Sequence, residues 1–135
     1  QGIRARRPDA VAFARRSRVL LLRHEPSGID LDVSVGLLPF EHELVARARR
    51  RRVRGIAVPI PTPEDLVVMK AIAHRARDLG DIEGIVAMHP RLDTARIRRL
   101  VRAFAEVLDA PEIVADLERV LDRVRPRRRG RSKGR

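Results

Sequence analysis

The sequence predicts an α/β fold in which a small antiparallel or mixed sheet has flanking helices and an all-helical carboxy-terminal half. Three patterns lead to this expectation: a hairpin pattern at residues 18–35, a helix start signal at Thr62, and a series of helical apolar stripes after it. We therefore expect a sheet region over residues 1–60, a helical region of the same domain over residues 61–124, and a disordered basic tail over residues 125–135.

The hairpin is the clearest β element in the sequence. Residues 18–24 form an apolar run of strand length, and residues 25–28 carry the proline and glycine of a tight turn. Residues 29–35 then alternate, which predicts a second strand with one apolar and one polar face. The apolar face consists of Ile29, Leu31, Val33 and Val35, and the polar face of Asp30, Asp32 and Ser34.

The elements around the hairpin are predicted from helix caps and breakers. A short helix is expected at residues 9–16, a longer one at residues 39–51, and a short strand at residues 55–60. Thr62 then caps a helix that is expected to run to about residue 78, with Leu66, Met69 and Ala73 toward the core.

The remaining helices are separated by glycine and proline. Gly80 allows a break before a helical segment at residues 81–88, which His89 and Pro90 end. Two amphipathic helices follow, at residues 93–108 and from Pro111 to about residue 124.

Composition excludes several classes of site. There is no cysteine, so disulfides, thiolate nucleophiles and cysteine-ligated zinc are excluded. The three phenylalanines are the only aromatic residues, which leaves almost nothing on which bases could stack. No signal peptide and no apolar run of membrane-spanning length is present, so a cytoplasmic protein that does not contact membranes is expected.

The formal net charge of +12 is concentrated near the end of the chain. Residues 123–135 contain eight basic and no acidic side chains. Two interpretations remain open: attraction to nucleic-acid phosphates, and a genomic bias toward G and C that favours arginine codons.

Two groups of charged residues could carry chemistry. Asp30 and Asp32 are two apart on one strand, so both carboxylates project from the same face and could hold Mg²⁺. Lys70, His74, Arg77 and Asp81 fall on one stripe of a helix that continues past Gly80, and the cations of this stripe suit a metal-bound phosphate. In both cases the alternative is a solvated surface, which the spacing alone favours.

Four segments together resemble a known family. They are Ile29-Asp30-Leu31-Asp32-Val33-Ser34, Leu38-Pro39-Phe40-Glu41, the nine residues from Thr62 to Lys70, and the ten residues from Ala73 to Ile82. These segments resemble bacterial nucleotidyltransferase-like proteins of the DNA polymerase β superfamily, close to the AbiEii-type toxins of type IV toxin–antitoxin systems. The resemblance spans roughly residues 2–90 and is most specific between Pro63 and Ile82.

The resemblance implies transfer of a nucleoside monophosphate from an NTP with Mg²⁺, and a tRNA or antitoxin protein as a possible partner. In the family two carboxylates follow a Gly-Gly or Gly-Ser loop and a third comes from a later strand. Asp32, in preference to Asp30, matches the third. Lys70 matches a lysine near the triphosphate, and Arg75, Asp78 and Asp81 match the family's arginine and aspartate positions.

The family's glycine loop and first two carboxylates have no counterpart in these 135 residues, and the sequence starts with Gln1 instead of methionine. We therefore expect a truncated or degenerate chain without activity of its own. The alternative is a non-catalytic module that binds a partner protein or RNA. An in-frame Gly-Ser and Asp-x-Asp segment upstream in the gene would favour the enzyme, and a start codon near Gln1 the module.

Overall fold

The computed structural model describes residues 2–124, which cluster into two compact units with the boundary between Ala46 and Arg47. The predicted disorder of residues 125–135 lies outside the described residues. None of the described helices combines the length and the apolar character needed to cross a bilayer.

The first unit contains a three-stranded antiparallel sheet. Its strands are β1 (Ile3–Ala5), β2 (Val19–His24) and β3 (Ile29–Ser34), in the order β1-β2-β3. Helix α1 (Ala10–Ser17) connects β1 to β2, and α2 (Pro39–Arg47) follows the sheet. The predicted hairpin is confirmed, because β2 pairs with β3 from Val19 opposite Ser34 to His24 opposite Ile29.

The second unit consists of a strand pair and four helices. Strands β4 (Arg49–Val53) and β5 (Ile56–Ile60) form an antiparallel hairpin. The helices are α3 (Pro63–Ala73), α4 (Ala76–Met88), α5 (Thr94–Leu108) and α6 (Glu112–Val124). The α/β fold with small antiparallel sheets and a helical carboxy-terminal half is therefore as predicted.

The buried core of the second unit lies between its four helices. Val67, Val68, Ile82, Ile97 and Leu117 are almost completely buried in it. The stripes predicted for α5 and α6 supply much of this core, with Val101, Ile113, Val120 and Leu121 also buried.

The helix predicted over residues 39–51 is wrong beyond Arg47. Residues 49–53 pair with β5 through a two-residue turn in which Arg54 and Gly55 both have positive φ, at 49° and 85°. Positive φ at both central positions is the conformation of a type I′ turn, whose twist matches that of the flanking strands. Because arginine tolerates both helix and strand, cross-strand pairing decides its conformation here.

The break predicted at Gly80 is also wrong, since Gly80 lies inside α4. The chain turns at His74 instead, which has φ 48° and ends α3 with its N–H donating to the Lys70 carbonyl. Arg75 then precedes α4, where Asp78 accepts from the Arg75 backbone N–H. The stripe from Lys70 to Asp81 is consequently divided between two helices.

The predicted core face of α3 needs correction as well. Met69 is 44% exposed and Ala73 is exposed, whereas Val67, Val68 and Ala71 are buried. Apolar residues surround most of this helix, so its periodicity does not select a face.

Candidate functional site

The two predicted carboxylates lie side by side on β3, and one arginine binds both of them. Arg6, which follows β1, donates from Nη1 to Asp30 Oδ2 at 2.9 Å and from Nη2 to Asp32 Oδ1. Its backbone N–H donates to the carbonyl of Leu21 on β2, which fixes the start of this side chain beside the hairpin. The pair therefore holds a cation, and that cation is the Arg6 guanidinium.

Asp30 and Asp32 differ in their surroundings. Arg23 is the cross-strand neighbour of Asp30 and donates from Nε to its Oδ1 at 2.6 Å. Arg23 and Arg6 together hold the pKa of Asp30 below its ordinary value. Asp32 is opposite Leu21, and its side chain is 64% exposed against 41% for Asp30. Asp32 is thus the more accessible carboxylate.

These two carboxylates do not by themselves fit a magnesium site. Mg²⁺ requires near-octahedral oxygen coordination. Within residues 2–124, no group of three or more histidine, aspartate or glutamate side chains is placed to hold a metal ion. Carboxylates beyond Asp30 and Asp32 would have to complete such a site.

A buried carboxylate at Asp65 stabilises the start of α3. Arg47 Nη2 and Arg96 Nη2 donate to its Oδ1 at 3.0 and 2.8 Å, and the Thr62 hydroxyl donates to its Oδ2 at 2.9 Å. Burial alone would raise the pKa of this carboxyl, but these hydrogen bonds outweigh it, so the pKa lies below the ordinary value. Asp65 consequently ties Arg47 and α5 to the beginning of α3.

A second buried carboxylate, Asp78, joins α3 to α4. Arg75 donates to Asp78 from Nε at 2.6 Å and from Nη2 at 3.1 Å, and Lys70 Nζ donates at 3.3 Å. Arg75 first, and Lys70 with it, lower the pKa of Asp78 to about 2. Lys70 Nζ also donates to Asp81 at 2.6 Å, which bridges the turn between the two helices.

The remaining members of the predicted cationic stripe separate in the structure. His74 Nε2 lies 2.8 Å from Asp116 Oδ2 on α6, and both side chains are largely shielded from solvent. Arg77 is exposed on α4. The structure therefore brings Lys70 and Arg75 together through Asp78 and places His74 against α6.

Several partners in these contacts were not predicted from the sequence, among them Arg6, Arg47 and Arg96. Arg6 follows a strand of only three residues, which is too short to give a periodic signal. Arg47 and Arg96 lie 18 and 31 residues from Asp65 in the chain. A local signal existed for Asp65 alone, since Thr62 and Asp65 have the spacing of a helix capping box.

The chain matches the model of one protein family over residues 23–119, well over half of its length. The family is described as nucleotidyl transferase of unknown function (DUF2204). The matched region includes β3 with both carboxylates and the network from Thr62 to Asp81. No curated protein and no solved structure matches the chain. The chain therefore belongs to the DUF2204 family of nucleotidyl transferases of unknown function.

Proposed function

We propose that this chain is one part of a nucleotidyl transferase, to which it contributes Asp32 as a carboxylate of the reaction centre. The complete enzyme transfers a nucleoside monophosphate from an NTP to an acceptor with Mg²⁺ and requires a glycine-containing phosphate loop and two further carboxylates. The 135 residues alone are inactive. Family membership together with the exposed Asp32 on β3 is the observation on which the proposal rests.

The surroundings of the two carboxylates favour Asp32 over Asp30. Asp30 has a cross-strand arginine, Arg23, which gives it a structural role within the hairpin. Asp32 pairs with Arg6 and is the more exposed of the two. A carboxylate that has to bind a metal ion from solvent must be accessible to solvent.

The cationic residues are proposed to act in two ways. Lys70, His74 and Arg75 each have a carboxylate partner and hold the helices together in the absence of a nucleotide. A triphosphate is negatively charged, as those carboxylates are. If Lys70, His74 or Arg75 binds a nucleotide, the phosphate therefore replaces the carboxylate as its partner. Arg77 is exposed and needs no large rearrangement to meet a phosphate.

The second candidate is a non-catalytic module that binds a partner protein or RNA. The observation that favours it is that Arg6 bridges Asp30 and Asp32 while Arg23 binds Asp30, since the two guanidinium charges compensate both carboxylates without a metal ion. In that case Asp32 has a structural role.

The reading frame ahead of Gln1 provides the test. If it encodes a Gly-Ser loop and an Asp-x-Asp segment, the longer protein is expected to transfer label from α-labelled NTPs to cellular RNA or protein. Asp32→Asn should then lower transfer at least about 100-fold, because one of three ligating carboxylates is removed.

Asp30→Asn is the matched control, because it changes the same chemical group two residues away on the same strand face. We expect it to retain most of the activity. Equal transfer by the wild-type protein and Asp32→Asn would remove Asp32 from the reaction centre, whereas absence of transfer by the wild-type protein would favour the non-catalytic module.

A further inference from the structure

Residues 49–60 form an exposed hairpin of unusual charge, which we call the arginine ribbon. Its β4 strand reads Arg-Arg-Arg-Arg-Val, Arg54 follows in the turn, and β5 reads Ile-Ala-Val-Pro-Ile. The ribbon thus has five arginines and no acidic residue within twelve positions. Every one of its residues is exposed to solvent, on both faces of the hairpin.

The arginines of the ribbon differ from many of the arginines around them. Arg47, Arg75, Arg96 and Arg98 of the same unit each contact a carboxylate. Over residues 2–124, by contrast, no carboxylate lies within ion-pair distance of the five ribbon arginines, and Arg52 has only a weak 3.4 Å contact to the Gly55 carbonyl. Arg91 and Arg99 of the same unit also have no carboxylate within ion-pair distance among residues 2–124, so what sets the ribbon apart is the clustering of five such arginines within six positions.

Uncompensated like charges on adjacent residues repel each other, and binding of a polyanion would relieve this repulsion. We infer that the arginine ribbon is a docking surface for the phosphate backbone of a DNA duplex. This inference is independent of the proposed nucleotidyl transfer.

The shape of the ribbon favours a duplex with an open major groove. Its two strands lie about 5 Å apart and extend roughly 17 Å, which suits the roughly 12 Å wide major groove of B-form DNA. The major groove of double-helical RNA is too narrow and deep for such an element. Single strands are disfavoured because the chain has no tyrosine or tryptophan and only three phenylalanines for base stacking.

The register indicates how the ribbon would lie. Each arginine of β4 is opposite an apolar residue of β5, for example Arg49 opposite Ile60 and Arg51 opposite Val58. Arg49 and Arg51 project from one face, and Arg50 and Arg52 from the other. The β4 strand therefore has guanidinium groups on both faces, and these can reach the phosphates on either wall of a groove.

The test is a titration of the full-length protein with a fluorescent 20-base-pair DNA duplex at several NaCl concentrations. Replacing Arg49, Arg50, Arg51 and Arg52 by glutamine should weaken binding at low salt about tenfold or more. It should also make the slope of log affinity against log salt shallower, by about 0.9 for each phosphate that the protein no longer neutralises. The matched control replaces four exposed arginines elsewhere that likewise have no ion pair among residues 2–124, Arg4, Arg15, Arg91 and Arg99, and removes the same total charge.

A lysine version of the four ribbon positions separates charge from folding. It keeps the charge, so we expect it to retain the salt dependence, whereas a folding defect at these positions would affect the lysine and glutamine versions alike. The same variants without residues 125–135 remove the contribution of the basic tail. Equal weakening in the ribbon variant and the matched control would overturn the inference. So would tighter binding of an RNA duplex, or of polyglutamate at equal charge, than of the DNA.

Discussion

Asp65 and Asp78 are fully buried carboxylates, and each meets at least two cationic side chains. Burying a charge is unfavourable unless it is paired and hydrogen-bonded. These contacts explain how the two aspartates can lie in the interior of a segment whose cations Lys70, Arg75 and Arg77 stay at least partly exposed. Asp65 is bound by Arg47 and Arg96 from outside this segment, and Asp78 is bound by Lys70 and Arg75 within it.

The stability of the chain should fall at acidic pH because of these groups. Asp78 has a pKa of about 2 in the folded chain against an ordinary value of 3.8, and the pKa of Asp65 is lowered in the same direction. A lowered folded-state pKa stabilises the fold fully above the unfolded pKa, and the contribution disappears as the pH falls through the folded pKa. The Asp78 contribution therefore disappears between about pH 4 and pH 2.

Urea unfolding of the wild type and of Asp78→Asn from pH 5 to pH 2 would measure this effect. The variant cannot titrate at residue 78, so its free energy of unfolding should be lower at pH 5 and should change less as the pH falls. Parallel pH profiles for the two proteins would show that Asp78 gains no stabilisation from Arg75 and Lys70.

At the level of elements, the start of α3 depends on Thr62. Its hydroxyl accepts from the Asp65 backbone N–H at 3.2 Å and also donates to the buried Asp65 carboxylate. Thr62→Ala removes both interactions and should lower the free energy of unfolding by about 1–2 kcal/mol. Thr62→Ser keeps the hydroxyl and should restore most of this stability.

Thr94→Ala is a suitable control for Thr62→Ala, because the Thr94 hydroxyl only accepts a 3.3 Å contact from Arg98. We expect its effect to remain within about 0.5 kcal/mol. Chemical denaturation of the three variants would decide the matter. An unchanged midpoint for Thr62→Ala would mean that the cap does not stabilise α3.

Some elements could be predicted from the sequence because their signals are local. The β2–β3 hairpin has its turn residues and alternation in adjacent positions, and Thr62 and Asp93 each stand directly before the helix that they cap. The β4–β5 hairpin could not, since a run of arginines is compatible with helix and strand until its partner strand is known. The same holds for the candidate site. The strand alternation is local, so it predicted that Asp30 and Asp32 share one face, whereas Arg6 lies 26 residues before Asp32 and gave no local signal.

At the level of the whole molecule, positive charge is unevenly distributed. In the helical part of the chain many arginines serve the fold, with Arg98 on Glu118 of α6 as an example. The arginine ribbon concentrates charge that has no carboxylate partner among residues 2–124, and eight basic residues follow between positions 123 and 135. The carboxylates of the candidate site belong to the first unit, and the cationic residues from Lys70 to Arg77 to the second.

The most direct test of the proposed function is a transfer assay with the purified 135-residue chain, Mg²⁺ and each α-labelled NTP, with cellular RNA and protein as acceptors. We predict no label transfer above background, because on the proposed function the phosphate loop and the two further carboxylates come from outside these residues. Robust transfer that depends on the chain, and that Asp32→Asn abolishes, would contradict the proposal that it needs further residues for catalysis.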